Sequence, residues 1–267
     1  MTLRELALEL ERIVHQATKD ILLNESIDLN IESKGFQDIV TAKDKLVEEF
    51  LIQEITKLCP NDRFIAEEGH RNPLTDQRTW IIDPIDGTLN FTQKNPYFGI
   101  QLALFENQIG LLSVMYIPVI DEFYYAIRGE GAYLNHTRIH LDTTRSIEDA
   151  IVTFGDFSKS NPDSRDFQIH MMANLHSSAL KIRIQGSSCI DFAFVAGGKN
   201  HAHILFSKRI WEIKPGLMLL EECGAVTGVV SGEPYGFPGD AVIVSASQRI
   251  YDAIFKAMEP TATPLTV

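Results

Sequence analysis

The 267-residue chain predicts an α+β half followed by an α/β half, with helices and sheets layered in two lobes and a site between them. Three observations lead there. Apolar residues recur at helical spacing near the amino terminus, strand-like runs follow one another without helices from Tyr97 to Leu134, and beyond about residue 145 strand-like and helix-like runs alternate. The change of pattern sets a boundary near residues 140–148, dividing the chain into residues 1–145 and 146–267.

The first helix follows from Leu3, Leu6, Ala7, Leu10, Ile13, Val14 and Ala17, with Thr2 and Glu5 as a capping box. A second begins after Thr41, with Leu46, Val47, Phe50, Leu51, Ile55 and Leu58 on one face and Pro60 beyond its end. Trp80-Ile81-Ile82 is a short buried strand ending at Asp83, where Pro84 forces a turn. From Tyr97 to Leu134, β-branched and aromatic runs broken at Glu106-Asn107-Gln108, Pro118 and Arg128-Gly129-Glu130-Gly131 form an antiparallel meander. Further strands are expected at Ile151–Phe154, Lys181–Ile184, Ala202–Phe206 and Val242–Ser245, and the tail Pro260–Val267 is expected to fray.

With 45% hydrophobic residues, a chain this long buries a substantial core. A net charge of −12 argues against nucleic acid and anionic membrane as partners, because both select basic faces. Charged residues interrupt Met1–Arg12 and no apolar run approaches the roughly 20 residues that span a bilayer, so the expected location is the cytoplasm. Cys59, Cys189 and Cys223 read as small core residues, with only Cys189 near a candidate site. His201 and His203 share a strand face but lack a third ligand in the sequence, so they are not read as a zinc pair.

The segment Trp80-Ile81-Ile82-Asp83-Pro84-Ile85-Asp86-Gly87-Thr88-Leu89-Asn90-Phe91 carries the most chemistry. Asp83 and Asp86 can converge on one point, and hard cations want such oxygen donors, Mg²⁺ first and Mn²⁺ also. Gly87 and Thr88 then offer backbone N–H groups and a hydroxyl at a helix start, which suits a phosphate oxygen. Asp-Pro and Asp-Gly are also common turn dipeptides. Packing, however, does not explain Glu67-Glu68 directly after Phe64-Ile65-Ala66, and carboxylates gathered together repel unless cations are present.

These segments, with Asp38-Ile39-Val40-Thr41-Ala42-Lys43-Asp44, Gly186-Ser187-Ser188 and Trp211-Glu212, resemble the motifs of the inositol monophosphatase family in the same order. The resemblance implies a layered αβαβα sandwich of the sugar-phosphatase type and Mg²⁺-dependent hydrolysis of a small phosphate monoester. It also implies two or three Mg²⁺ ions, Li⁺ inhibition and a homodimer. The implied ligands are Glu67, Asp83, the backbone carbonyl of Ile85, Asp86 and Glu212. One ion on Glu67, Asp83 and Ile85 would activate the attacking water, and a second on Asp83, Asp86 and Glu212 would neutralise the leaving oxygen. Thr88 paired with Asp44 would orient that water, while Gly87, Thr88, Gly186, Ser187 and Ser188 would contact substrate.

Bland readings stand beside these roles. Asp44 lies where a helix cap belongs after Thr41, and Gly186-Ser187-Ser188 also reads as the start of a helix with a serine N-cap. Asp191 fits the family pattern without an assigned chemistry. Lys208-Arg209 reads as a solvated turn from which Arg209 could reach a second phosphate.

The chain departs from the family at two positions. Glu212 stands where an Asp is usual, a longer arm for the second ion. Leu205 stands where members that prefer inositol phosphates carry an acid. NADP(H), fructose 1,6-bisphosphate, sugar phosphates and 3′-phosphoadenosine phosphate are therefore alternative substrates. A metal- and phosphate-binding module without turnover, and a partner protein using the acidic surface, are the competing classes. The intact Glu67, Asp83, Asp86 and Thr88 favour the enzyme.

Overall fold

The computed structural model describes residues 1–35, 38–70, 72–157, 162–231 and 240–258; the expected fraying of Pro260–Val267 lies outside them. α1 (Leu3–Ala17) starts as expected, with the Thr2 hydroxyl accepting from the Glu5 N–H at 3.2 Å and Glu5 Oε2 accepting from the Thr2 N–H at 2.7 Å. Next come β1 (Glu32–Gly35), β2 (Asp38–Val40) and α2 (Ala42–Leu58). Val47, Leu51 and Ile55 of α2 are buried, but Leu46, expected on that face, is 38% exposed because it lies one residue outside the stripe.

A seven-stranded sheet follows the order β3 (Arg63–Ala66), β4 (Thr79–Asp86), β5 (Gly99–Glu106), β6 (Ile109–Ile117), β7 (Glu122–Ile127), β8 (Gly131–Leu134) and β9 (Thr137–Arg138). Its first pair is parallel and the rest is the expected antiparallel meander. A five-stranded sheet has the order β11 (Lys181–Ile184), β10 (Ile151–Phe154), β12 (Ala202–Leu205), β14 (Asp240–Ser245), β13 (Val226–Ser231). β13 is an addition to the expected strands.

Among the described residues β1 and β2 pair as a separate two-stranded sheet, and three helical layers flank the two larger sheets. Leu6 and Leu10 of α1 and Val47 and Leu51 of α2 pack on Trp80, Ile82, Leu102 and Val114 of the larger sheet. On its other face, Met115, Tyr124 and Ala126 meet Ile190 and Phe192 of α5 (Ser188–Ala196) and Leu219 and Leu220 of α6 (Ile210–Cys223), which also touch Val242 and Val244. Beyond the smaller sheet, Met171 and Leu175 of α4 (Pro162–His176) and Ile250 and Ile254 of α7 (Gln248–Ala257) cover Val152, Phe154 and Ile243. This is the layered αβαβα arrangement. Among the described residues no helix is long and apolar enough to cross a membrane.

One local departure from expectation shapes the site. Pro84 does not end the strand: β4 runs to Asp86, fully buried along its length. Asp83 pairs with Gln101 and Asp86 with Gly99, so three steps on β4 match two on β5. That extra residue is a β-bulge, a place where a residue without an N–H is tolerated. Residues three apart in a regular strand face opposite sides. The bulge cancels that alternation, and both aspartates open onto one cleft.

Candidate active site

Past the bulge, Gly87 has φ 89°, and a Cβ there would sit 2.8 Å from the Tyr97 carbonyl oxygen and 3.0 Å from Ser187 Cβ. Only glycine fits, and the chain turns straight into the short helix α3 (Thr88–Thr92). Thr88 Oγ1 lies 2.9 Å from Asp44 Oδ1 and 3.0 Å from the Ile85 carbonyl oxygen. Asp44 Oδ2 accepts from the Thr41 N–H at 2.8 Å and its hydroxyl at 2.5 Å. The helix-cap contact and the contact to Thr88 therefore coexist on Asp44, one on each oxygen.

Asp86 faces the start of α5. Its Oδ1 accepts from the Ser188 hydroxyl at 3.0 Å, and its Oδ2 accepts from the Cys189 N–H at 2.6 Å and from the Ser187 hydroxyl. Ser187 is also the N-cap of α5, accepting from the Ile190 N–H at 3.3 Å. Asn90 Nδ2 donates to the carbonyls of Gln185 at 2.8 Å and Gly186 at 3.3 Å, fastening α3 to the turn before α5. The expected helix start at Gly186-Ser187-Ser188 is present, and it is hooked onto a carboxylate of the other sheet.

Glu67 follows β3 and opens onto the same cleft. Lys34 Nζ, mostly buried, bridges Glu67 Oε1 at 3.0 Å and Glu68 Oε1 at 2.5 Å. The turn itself is held from below by the buried Glu48, whose carboxylate accepts from the N–H groups of Glu68 at 2.7 Å and Gly69 at 2.8 Å. Glu212 enters from the first turn of α6, where its carboxylate accepts from Ser207 at 2.5 Å and from Arg209 at 3.2 Å. Leu205, Gly155, Asp156 and Arg209 complete that wall. Leu205 occupies the room that the missing Gly155 side chain leaves, its Cδ1 2.6 Å from where a Cβ would stand.

The cleft gathers carboxyl groups whose ionisation is resisted by burial. Burial, followed by the charges of Glu67, Asp86 and Glu212, pushes the Asp83 carboxyl well above the usual range. Burial moves Asp86 to about 7 against the pull of its α5 donors, and Glu212 also rises through burial. Asp83 Oδ1 is buried without a hydrogen-bond partner. Orphaned carboxylate oxygen, mutual repulsion and an all-oxygen donor set fit a hard divalent cation. Among the described residues, however, no three His, Cys, Asp or Glu side chains are disposed to hold a metal as they stand. Asp86, Glu67 and Glu212 are turned to internal donors, and a carboxylate with about four lone-pair sites can keep such donors while accepting a cation.

Other sequence readings find their places. Cys189 is buried, whereas Cys59 and Cys223 pack against the core from half-buried positions. His201, just before β12, has Nδ1 accepting from the Ile151 N–H at 2.9 Å, and His203 Nδ1 meets Thr153 Oγ1 at 2.8 Å and faces Asp191 Oδ2 of α5 at 3.6 Å. Sequence reasoning missed Lys34, Glu48, Gln101 and Asp156. Two of these left a signal: Glu48 falls on the buried side of α2, and Gln101 interrupts the apolar run of β5.

The inositol monophosphatase family model matches residues 2–261. The inositol-1-monophosphatase of Bacillus subtilis is 32% identical over 236 residues, covering 88% of this chain and 88% of that one. The fructose-1,6-bisphosphatase/inositol-1-monophosphatase of Thermotoga maritima is 34% identical over 205 residues, 76% of this chain and 77% of the relative. The solved structure of a Thermotoga maritima IMPase matches with a TM-score of 0.80 at 31% identity and 95% coverage of each chain. Fold, cleft and relatives together define a hydrolase of phosphate monoesters. The chain belongs to the inositol monophosphatase family.

Proposed function

We propose that this chain hydrolyses a small phosphate monoester using two or three Mg²⁺ ions, with Mn²⁺ able to substitute. The ligands are Glu67, Asp83, the Ile85 carbonyl, Asp86 and Glu212. The supporting observation is that these groups open onto one cleft beside Thr88, which is itself bonded to Asp44. When bound, such ions acidify a water and neutralise charge on the phosphoryl and leaving oxygens.

The residues of the chain supply the positioning. Asp44 Oδ1 and the Ile85 carbonyl can only accept, so the single Thr88 proton is committed to one of them. Thr88 Oγ1 then meets the cleft as an acceptor and holds a water by its hydrogen, a lone pair turned toward phosphorus. The first turn of α3 at Gly87 and Thr88 leaves N–H groups without intrahelical partners, which suits the phosphate oxygens. Gly186, Ser187 and Ser188 close the far side, the serines acting through Asp86.

The test is phosphate release from inositol 1-phosphate, NADP, fructose 1,6-bisphosphate and 3′-phosphoadenosine phosphate, with Mg²⁺ or EDTA. Turnover that requires Mg²⁺ supports the phosphatase. A folded, Mg²⁺-binding protein that turns over none of them is instead a binding module. Leu205 bears on which ester is preferred, since an apolar wall accepts no hydrogen bond from a polyol. Leu205→Glu is expected to raise kcat/KM for inositol 1-phosphate relative to fructose 1,6-bisphosphate about tenfold, the selectivity of one hydrogen bond. An unchanged ratio in a variant with wild-type melting would remove Leu205 as a determinant.

We further propose that the cleft separates a lobe of residues 1–145 from one of residues 146–267, and that the protein works as a cytoplasmic homodimer. The net charge of −12 supports a small phosphorylated substrate over nucleic acid or anionic membrane. Light scattering that returns the mass of one chain would overturn the dimer.

A further inference from the structure

Behind the carboxylates, Gln101 sits in β5 directly across the ladder from Asp83 and is fully buried. Only one side of the amide is bonded: its Oε1 is buried without a hydrogen-bond partner, a desolvation cost that the contacts of Nε2 offset. Its Nε2 lies 3.2 Å from Ser188 Oγ and 3.5 Å from Asp83 Oδ2. Ser188 in turn donates to Asp86 Oδ1 at 3.0 Å.

The direction of this chain is set by proton count. In the ionised form that ion binding requires, the two carboxylates only accept, and Ser188 has one proton, so the order then runs from the Gln101 amide to the Ser188 hydroxyl to Asp86. The second amide hydrogen is left for Asp83, along the longer and weaker arm. Turning the amide over would set its oxygen against the Asp83 carboxylate and remove both donations, so the neighbours select this orientation. One buried NH₂ group therefore reaches both aspartates, one directly and one through Ser188. The two carboxylates come from the two ends of the β4 bulge, and Ser188 comes from α5 on the far side of the cleft.

We propose that Gln101 and Ser188 are positioning residues that orient Asp83 and Asp86 toward one divalent ion, and so set ion affinity. The proposal rests on reading Asp83 and Asp86 as ion ligands. Loss of a group that orients a metal ligand costs about 10–100-fold in affinity, and the two residues act in series on Asp86. Their effects are therefore coupled rather than additive.

The test is binding, not turnover. Mn²⁺ affinity is measured by electron paramagnetic resonance on the EDTA-stripped full chain for wild type, Gln101→Leu, Ser188→Ala, the double variant, Ser188→Thr and Asp86→Asn. Melting in EDTA is recorded for each. Gln101→Leu and Ser188→Ala should each raise Kd about tenfold, the double variant should be no more than about threefold worse than the weaker single, and Ser188→Thr should restore affinity. Ser188→Ala is the mild variant that keeps the test alive if Gln101→Leu misfolds. Affinity within twofold of wild type in folded Ser188→Ala and Gln101→Leu, with Asp86→Asn still deficient, overturns the positioning role alone. Unchanged affinity in Asp86→Asn overturns the ligand reading and this proposal with it.

Discussion

Asp86→Asn lowers phosphate release by at least about a hundredfold on whichever ester the protein prefers, and it weakens Mg²⁺ binding in parallel. A group that merely orients a ligand already accounts for 10–100-fold, so a direct ligand starts at the upper end of that range. The substitution also replaces one acceptor of the α5 donors with an NH₂, which opposes the Cys189 N–H in one orientation and forces the Ser188 hydroxyl to turn from donor to acceptor in the other. Kinetics over a Mg²⁺ titration separates the two consequences. A defect that saturating Mg²⁺ fully repairs is one of affinity, whereas a residual loss of kcat belongs to the reaction. Full activity at ordinary Mg²⁺ would contradict the assignment of Asp86. Glu212→Ala is a graded companion: an unchanged Mg²⁺ dependence would remove Glu212 from the ligand set and leave it as the partner of Ser207 and Arg209.

Mg²⁺ stabilises the fold, and does so increasingly as pH rises from about 5 to about 8. Burial holds Asp86 at about 7 and moves Asp83 upward too, whereas unfolded aspartates titrate near 4. Between those values the metal-free native state binds more protons than the unfolded state. Its stability from these groups is fullest below the unfolded value and is lost as pH climbs toward 7. A cation takes the place of those protons, so its affinity grows across the same window and levels off above it. At a free ion concentration of 100 Kd the stabilisation is about 2.7 kcal/mol, or a melting shift of about 5 °C in a chain of this size. Calorimetry with Mg²⁺ and with EDTA from pH 5.5 to 8 measures the increment directly. An increment that stays flat or shrinks with pH would contradict the placement of these carboxyls at the ion site.

Much of the fold was written in local pattern. The Thr2 and Glu5 pair capping α1, the buried stripe of α2, the meander and the alternating strands after residue 145 each depend on neighbours within a few positions. Periodicity and capping act at that range and can be read without knowing the fold. β13 escaped notice because Val226–Ser231 earns its place by pairing with β14, a contact between segments that the local pattern does not announce.

At the site the division is the same. The run Asp83 to Thr88, with Glu67, was legible as oxygen chemistry because those residue types cluster without a packing reason, whereas Asp44 entered only through the family resemblance. How they meet was settled elsewhere. The register of β4 against β5 made Pro84 part of a bulge rather than the end of a strand, and thereby brought Asp86 round to the side of Asp83. Lys34 and Gln101 reached the carboxylates across 33 and 18 positions of sequence, and Glu48 reached the backbone of the Glu68 turn across 20. The amino-acid order determined by itself which oxygen-bearing groups are on offer, since donor type and backbone preference belong to each residue. Their orientation and their charge were decided only in the folded protein, because register, burial and long-range hydrogen bonds exist only once distant segments have packed.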